Sequence, residues 1–199
     1  NTYFLYYNKA IVSDSQAGKM DDILAACQTA NKKFFMDLSN GWYNASFFLT
    51  AGCTIDIDAN GKQKVDFNNA NGLKAAKAME AVAQHAVFMT GDDTTIRTGL
   101  GNNTFGAVVS GSWMANDFRT AWGTNMGVIK LPTITLDATQ IQLKSFGGTK
   151  LCGVNALTSS PADAMKLAEW ITNEQNQVKR FKDRGMGPSN INAAKSDEV

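Results

Sequence analysis

The sequence has few of the residues that metal sites and nucleophilic active sites require. It contains one histidine, His85, which excludes multi-histidine zinc sites and two-histidine iron centres. Its three cysteines, Cys27, Cys53 and Cys152, show no metal-binding spacing. Each cysteine lies in an apolar stretch, so we expect three buried thiols instead of a disulfide framework. We expect His85 at the end of a helix, where an imidazole suits the helix dipole.

Charge of one sign and long apolar runs are also lacking. The net charge is +1, with 19 Lys and Arg against 18 Asp and Glu, and no basic stripe is present. Nucleic acid is therefore not an expected partner. No apolar stretch approaches the roughly 20 residues that span a bilayer, and no signal peptide is visible. Because the first residue is Asn1, not Met, we expect a preceding segment.

No motif of an enzyme or a cofactor site is present. A P-loop, a dinucleotide-binding fingerprint and a Gly-x-Ser-x-Gly elbow are all missing. The stretch DIDANG, residues 56–61, copies the start of a calcium-binding EF-hand loop, but Phe67 stands where the closing Glu is required. Alternating residues flank Asn60 and Gly61, which favours a β-hairpin with positive φ angles at that pair. We therefore predict neither catalytic residues, nor a metal, nor a cofactor.

Strands and helices alternate along the chain, which predicts an α/β fold with a mostly parallel sheet. Helices are expected at 20–32, 42–50 and 68–85, the last capped by Asn68 or Asn69, and near Trp113. Two more are expected towards the end of the chain, the first with Ser160 as its N-cap and Pro161 as its first residue, the second ending at Gly185. Buried strands are expected at the start, at 34–38, 105–111 and 126–132, and at 150–158. The region 54–67 is the only expected hairpin. We interpret the polar stretch 133–148 as a boundary.

Two tryptophans stand at turns that follow predicted strands. Trp42 and Tyr43 come directly after Asn40 and Gly41, and Trp113 follows the run FGAVVSG. In an open α/β sheet, ligand crevices lie beyond the carboxyl ends of strands. An indole face stacks on the apolar face of a pyranose, and the Asn40 amide both donates and accepts hydrogen bonds. Taken alone, each tryptophan is more often a partly buried packing residue, and the residues alone leave both interpretations open.

The order of motifs resembles the maltodextrin-binding branch of the extracellular solute-binding proteins of ABC importers. The nearest resemblance is to the malto-oligosaccharide or cyclodextrin binders of Gram-positive bacteria, and it covers essentially the whole chain. Its most specific parts are the SGSW turn and the tail AMKLAEWITNEQNQVKRF with GPSN. The other matching stretches are FLYYNKAI, GWYNASFFLTAG, DANGKQKVDFNNANGLKAAKAM, FGAVVSGSWM, MGVIKLPTI and FGGTKLCGVNALTSS.

The resemblance implies a periplasmic-binding-protein-like fold of two α/β lobes with sugar in the cleft between them. By position, residues 1–146 match most of the second, sugar-binding lobe, and residues 147–199 match the segment that returns to the first lobe. Family members are about twice as long. The resemblance therefore implies a fragment that lacks the opening segment of the first lobe and the closing helices. A complementary segment or partner chain is expected to cover the return segment.

The resemblance also implies a function and a set of site residues. Trp42 and Trp113 match stacking aromatics, with Tyr43 beside Trp42. Asn40 and Asn1 match positions where a maltose-binding relative carries sugar-bonding carboxylates, and the two amides depart from that pattern. The implied activity is capture of malto-oligosaccharides for an ABC permease, without catalysis. The implied location is the periplasm or the outer face of the membrane, with a lipid anchor.

Other functions remain open at this point. The same fold serves carbohydrate-binding or adhesion modules and binders of other solutes, since a fold does not fix the ligand. A glycoside-processing enzyme is less favoured, because its chemistry needs two carboxyls that face one bond from opposed positions. Adjacent aspartates in the sequence do not provide that arrangement.

Overall fold

A computed structural model describes residues 2–197 of the chain. The chain forms two compact units. The first, here called the sheet unit, comprises Tyr3–Ser110 and Asp117–Phe146. The second, here called the helical unit, comprises Thr2, Gly111–Asn116 and the described chain from Gly147 onward. The division of the chain into lobes at residues 1–146 and 147–199 stays a prediction.

A five-stranded sheet forms the centre of the sheet unit, with the strand order β5-β2-β6-β1-β7. Strand β2 pairs in parallel with β5 and β6, whereas β7 pairs antiparallel with β1. The α/β class is as predicted, and the antiparallel β7 makes the sheet mixed, as is common when an edge strand is reversed. The strands are β1 (Tyr3–Asn8), β2 (Lys33–Phe35), β5 (Phe88–Met89), β6 (Phe105–Gly111) and β7 (Met126–Ile129).

Aromatic side chains fill the core around this sheet. Every residue of β6 is buried, as the continuous apolar run predicts. Tyr6 stacks on Phe118 with ring centroids 4.2 Å apart, and Phe35 meets Phe105 edge-on at 5.5 Å. Burying each large apolar side chain contributes roughly 1.5–3 kcal/mol. These contacts give the sheet unit a hydrophobic core of its own.

Five α-helices accompany the sheet, four of them close to the predicted positions, whereas α4 is not predicted from the sequence. They are α1 (Met20–Thr29), α2 (Gly41–Thr50), α3 (Ala70–Ala83), α4 (Asp93–Gly101) and α5 (Ala115–Trp122). Asn69 caps α3 by accepting from Gly72 N at 3.0 Å, as its sequence position predicts. Its C-cap is Gln84, so His85 lies just beyond the helix and its Nδ1 accepts from Val87 N at 3.4 Å. His85 therefore stands at the end of α3 as predicted, with its backbone N donating to Val82 O at 3.2 Å, and the predicted interaction of its imidazole with the helix dipole stays a prediction.

Two β-hairpins lie outside the main sheet. The predicted one is confirmed, since β3 (Ile55–Ile57) pairs antiparallel with β4 (Gln63–Val65). In its loop Gly61 has a φ of 75°, while Asn60 has no positive φ, contrary to our expectation for the pair. Within residues 2–197 no group of three metal-ligating side chains forms, at this loop or elsewhere.

The second hairpin occupies the stretch that we interpret from the sequence as a boundary. Strands β8 (Thr133–Leu136) and β9 (Thr139–Gln142) pair antiparallel around Asp137 and Ala138. The prediction of a single hairpin is therefore wrong. Asp137 and Ala138 have φ angles of 47° and 64°, the left-handed geometry that a two-residue hairpin turn requires. Neither residue is the glycine that usually marks such a turn.

The helical unit contains three further helices, α6 (Pro161–Thr172), α7 (Glu174–Arg184) and α8 (Ile191–Ala194). Pro161 opens α6 and Gly185, with a φ of 65°, ends α7, both as predicted. The Ser160 side chain makes no capping hydrogen bond, contrary to its predicted role.

Two further predictions for the helical unit are wrong. Residues 150–158 form no strand, and Leu151 is 88% exposed, because the unit offers that segment no neighbouring strand. Cys152 is exposed in this segment, whereas Cys27 and Cys53 are buried as predicted. No helix within residues 2–197 combines the length and the apolar character needed to cross a membrane.

Candidate functional site

Asn40 organises the first turn of α2, where two of the predicted site residues lie. Its Oδ1 accepts from Trp42 N at 2.9 Å, and its carbonyl oxygen accepts from Tyr43 N and Asn44 N, each at 3.0 Å. A side-chain oxygen at this position satisfies one of the backbone donors that a helix start leaves free. Asn40 is exposed, and its Nδ2 has no partner within residues 2–197. The Oδ1 atom of Asn40 thus caps the helix, while its Nδ2 can donate a hydrogen bond to a ligand.

The Trp42 indole is half-buried and lies against two aromatic rings of the sheet unit. Phe146 stacks on it with ring centroids 5.4 Å apart and an interplanar angle of 26°. Tyr3 approaches edge-on, at 5.9 Å and 61°. The indole Nε1 is buried and has no acceptor within residues 2–197. An unsatisfied buried donor costs about 1–3 kcal/mol, a cost more typical of functional sites than of ordinary cores.

Tyr43 is more deeply placed than its neighbour. It is 5% exposed, and its ring meets Tyr3 edge-on at 5.0 Å. Burial raises the pKa of its hydroxyl to about 12, and the Ser110 side chain opposes that rise. Tyr43 therefore joins Tyr3, Trp42 and Phe146 in one group of packed rings, which we call the Trp42 cluster. Its predicted contact with ligand stays a prediction, and this burial leaves little of its surface for one.

The sequence gives no direct sign that Tyr3 and Phe146 belong to the site. They lie far from Trp42 along the chain, and only the folded sheet unit brings them to it. One signal is available in retrospect. Tyr3 is the first residue of the sheet unit and Phe146 is the last, directly before two glycines. An aromatic residue that adjoins a glycine pair at a domain boundary deserves consideration as a site residue.

Trp113 belongs to the helical unit and is described there on its own. It lies in a single 3₁₀ turn, Ser112–Met114, directly after β6, and it is half-buried. Its ring covers Gly111, where an added Cβ would lie 2.1 Å from the ring. Gly111 therefore permits the ring position, and any larger residue would displace the indole. Asn1, the fifth predicted site residue, lies outside the described residues.

Two cavities within single units provide a comparison with these aromatic positions. In the helical unit, a cavity of about 180 Å³ is lined by polar groups that include Lys150, Gln177 and Arg180. In the sheet unit, a groove of about 600 Å³ runs between α3 and β8, lined by Leu73 and Leu136 among others. Neither lining includes an aromatic ring on which a pyranose could stack. Neither is therefore our candidate for sugar binding.

The α/β architecture, with half-buried indoles in the segments that follow β2 and β6, is typical of open-sheet proteins that bind a ligand. The particular family follows from the whole sequence. The model of the bacterial extracellular solute-binding proteins matches residues 1–199, and the chain belongs to that family. Its predicted membership is thus confirmed.

The chain matches solved structures of similar proteins over about half of the length of those proteins. A structure solved with acarbose is 30% identical, with a TM-score of 0.89 over all of this chain and 52% of that one. The maltodextrin-binding protein of L. casei BL23, solved without ligand, is 24% identical, with a TM-score of 0.77 over 100% of this chain and 52% of that one. The maltose-maltodextrin binding protein of Alicyclobacillus acidocaldarius is 18% identical, with a TM-score of 0.76 over 100% of this chain and 54% of that one.

These similarities confirm the predicted periplasmic-binding-protein-like α/β fold. The chain spans about half the length of the structures that it matches.

Proposed function

We propose that the protein captures malto-oligosaccharides as the solute-binding component of an ABC sugar importer. The observation that carries this proposal is the similarity, at 30% identity and a TM-score of 0.89, to a structure solved with acarbose. Acarbose is an oligosaccharide built like an α-glucan. The half-buried Trp42 indole, held by neighbouring rings, supplies the kind of surface on which such a sugar stacks.

In this proposal the Trp42 ring stacks on the apolar face of one pyranose, and the Asn40 Nδ2 donates to a sugar hydroxyl. Trp113 stacks on another sugar unit, and Asn1 and Tyr43 contribute further contacts. Sugar that contacts both lobes selects a closed form in proportion to the extra contacts made there. The closed protein then docks on a membrane permease, as is proposed for the whole transporter class.

The proposal also assigns the two parts of the chain. Residues 1–146 form most of the sugar-binding lobe, and residues 147–199 return to the first lobe. The absence of any buried residue in α6 supports this assignment, because an amphipathic helix needs a partner for its apolar face. A complementary segment of the longer protein would provide that partner. The complete protein lies outside the cytoplasmic membrane, in the periplasm or held by a lipid anchor.

The same proposal predicts binding without catalysis. The relatives are solute-binding proteins, and the four residues of the Trp42 cluster carry no carboxylate. Incubation of the protein with maltoheptaose should therefore leave the oligosaccharide intact by chromatography. The appearance of shorter products would favour the rival interpretation as a glycoside-processing enzyme.

Removal of the Trp42 ring tests the sugar site directly. We expect Trp42→Ala in the full-length gene product to weaken maltotriose binding about tenfold or more, measured by titration calorimetry, since the stacking surface is lost. Phe48→Leu, which changes a stacked ring of the same unit outside the Trp42 cluster, should leave the affinity unchanged. If no α-glucan binds while another solute does, the chain serves a different ligand on the same fold.

A further inference from the structure

Phe146 makes the stacking contact of Trp42 within the sheet unit. The two rings are nearly parallel, with an interplanar angle of 26° and centroids 5.4 Å apart. Offset stacking of this kind favours one orientation of the indole plane over the alternatives that the Trp rotamers allow. The orientation of the Trp42 face on which a sugar would stack therefore depends on the contact with Phe146.

Tyr3 completes the support for Trp42 from a second direction. Its ring is 1% exposed and meets both Trp42 and Tyr43 edge-on. Burial raises the pKa of the Tyr3 hydroxyl to about 12. Tyr3 is therefore a fixed part of the core that contacts both Trp42 and Tyr43.

Phe146 is the last residue of the sheet unit, and its ring stacks on the Trp42 indole within that unit. Tyr3 meets the same indole edge-on. Two rings of its own unit therefore contact the Trp42 indole, one on a face and one edge-on.

We infer that Phe146 is a positioning residue for sugar recognition, which acts by holding the Trp42 indole in the plane on which the sugar stacks. This inference rests on the proposed function, because it takes Trp42 as a sugar-stacking residue. A leucine at 146 keeps an apolar side chain but provides no flat face. The indole then samples other orientations, and part of the binding free energy is spent on reordering it.

A double-mutant cycle in the full-length gene product tests this inference. We expect Phe146→Leu to weaken maltotriose binding about three- to tenfold by titration calorimetry, and Phe146→Tyr, which keeps the flat ring, to restore it. In a Trp42→Ala background, Phe146→Leu should have no further effect on the affinity. Phe48→Leu is the matched control. Phe48 stacks on Phe67 at 4.4 Å in the same unit but outside the Trp42 cluster, so its replacement should leave the affinity for maltotriose unchanged.

The outcomes separate the inference from the function on which it rests. If Phe146→Leu binds as tightly as the unmodified protein, or loses as much affinity in the Trp42→Ala background, the inference is overturned and the proposed function stands. If the unmodified protein binds no α-glucan, both are overturned. Should Phe146→Leu fail to fold, as judged by urea unfolding, Phe146→Met takes its place with the same expected results.

Discussion

The sheet unit and the helical unit bury their apolar side chains to different degrees. Every residue of β6 is buried, whereas α6 has no buried residue. Exposed apolar side chains of the helical unit include Leu151, Leu157, Met165, Leu167, Trp170 and Ile191, and Leu157 is 92% exposed. A layer of helices is stable when its apolar face packs on another layer. The sheet unit meets that requirement by itself, and the helical unit does not meet it within residues 2–197.

The largest expected effect tests this contrast by truncating one large ring in each unit. Phe34 on β2 is fully buried, so Phe34→Ala should lower the free energy of unfolding by about 3–5 kcal/mol, through lost burial and the cavity left behind. Trp170→Ala in the 199-residue chain should change it by less than about 1 kcal/mol, because the ring is already largely hydrated. Urea unfolding of the two variants measures both.

A large loss on Trp170→Ala would break the comparison. It would show that the helical unit packs its apolar face against a partner in solution, such as a second copy of the chain. The same substitution in the longer protein gives a further check. There we expect a loss of about 3 kcal/mol or more if a complementary segment covers α6, as the lobe assignment proposes.

The next prediction compares close packing in the two units by adding a single methyl group. A Cβ at Gly99, in α4, would lie 2.1 Å from the Phe105 ring, so Gly99→Ala should cost about 1–3 kcal/mol by overpacking. At Gly153, in the helical unit, no atom lies within 4 Å of the added Cβ. Gly153→Ala should therefore change stability by no more than about 0.5 kcal/mol.

Gly101 offers a matched control within the same helix as Gly99. It too has open space at the Cβ position, so Gly101→Ala should be neutral or stabilise by up to about 1 kcal/mol through helix propensity. Thermal unfolding of the three variants separates these expectations. Equal losses at Gly99 and Gly101 would point to a backbone effect of the helix, not to the Phe105 contact.

The sequence predicted the sheet unit better than the helical unit, and the contrast in burial explains why. A continuous apolar run such as β6 has one consistent interpretation, because it is buried on both faces. Residues 150–158 carry a similar apolar pattern, but the strand that they predict needs a neighbour, and the helical unit has none for them. The local sequence pattern shows that a segment needs burial or a neighbouring strand, but whether one is present depends on the rest of the chain.

The site was predictable where local signals act and not where distant residues meet. Asn40 and Gly41 indicate the start of α2, and in the structure the Asn40 Oδ1 accepts a capping hydrogen bond from Trp42 N. The stacking of Phe146 on Trp42 joins residues far apart in sequence, and periodicity or turn signals carry no information about such a pair. The second hairpin was missed for a different reason. Its turn lacks glycine, so the rule that identified Asn60-Gly61 did not apply.

The smallest expected changes in the free energy of unfolding concern the turns of the two hairpins in the sheet unit. Exchanging alanine and glycine should have opposite effects at the two turns. Ala138 has a φ of 64°, a conformation that costs an L-residue about 1–2 kcal/mol, so Ala138→Gly should stabilise by about 0.5–1 kcal/mol after the added chain entropy. Gly61 has a φ of 75° with open space around it, so Gly61→Ala should destabilise by about 1 kcal/mol through backbone strain alone. Both changes are measurable by urea unfolding. A loss of stability on Ala138→Gly would mean that Ala138 is not in the left-handed conformation in solution, and hence that the β8–β9 turn carries no backbone strain for a glycine to relieve.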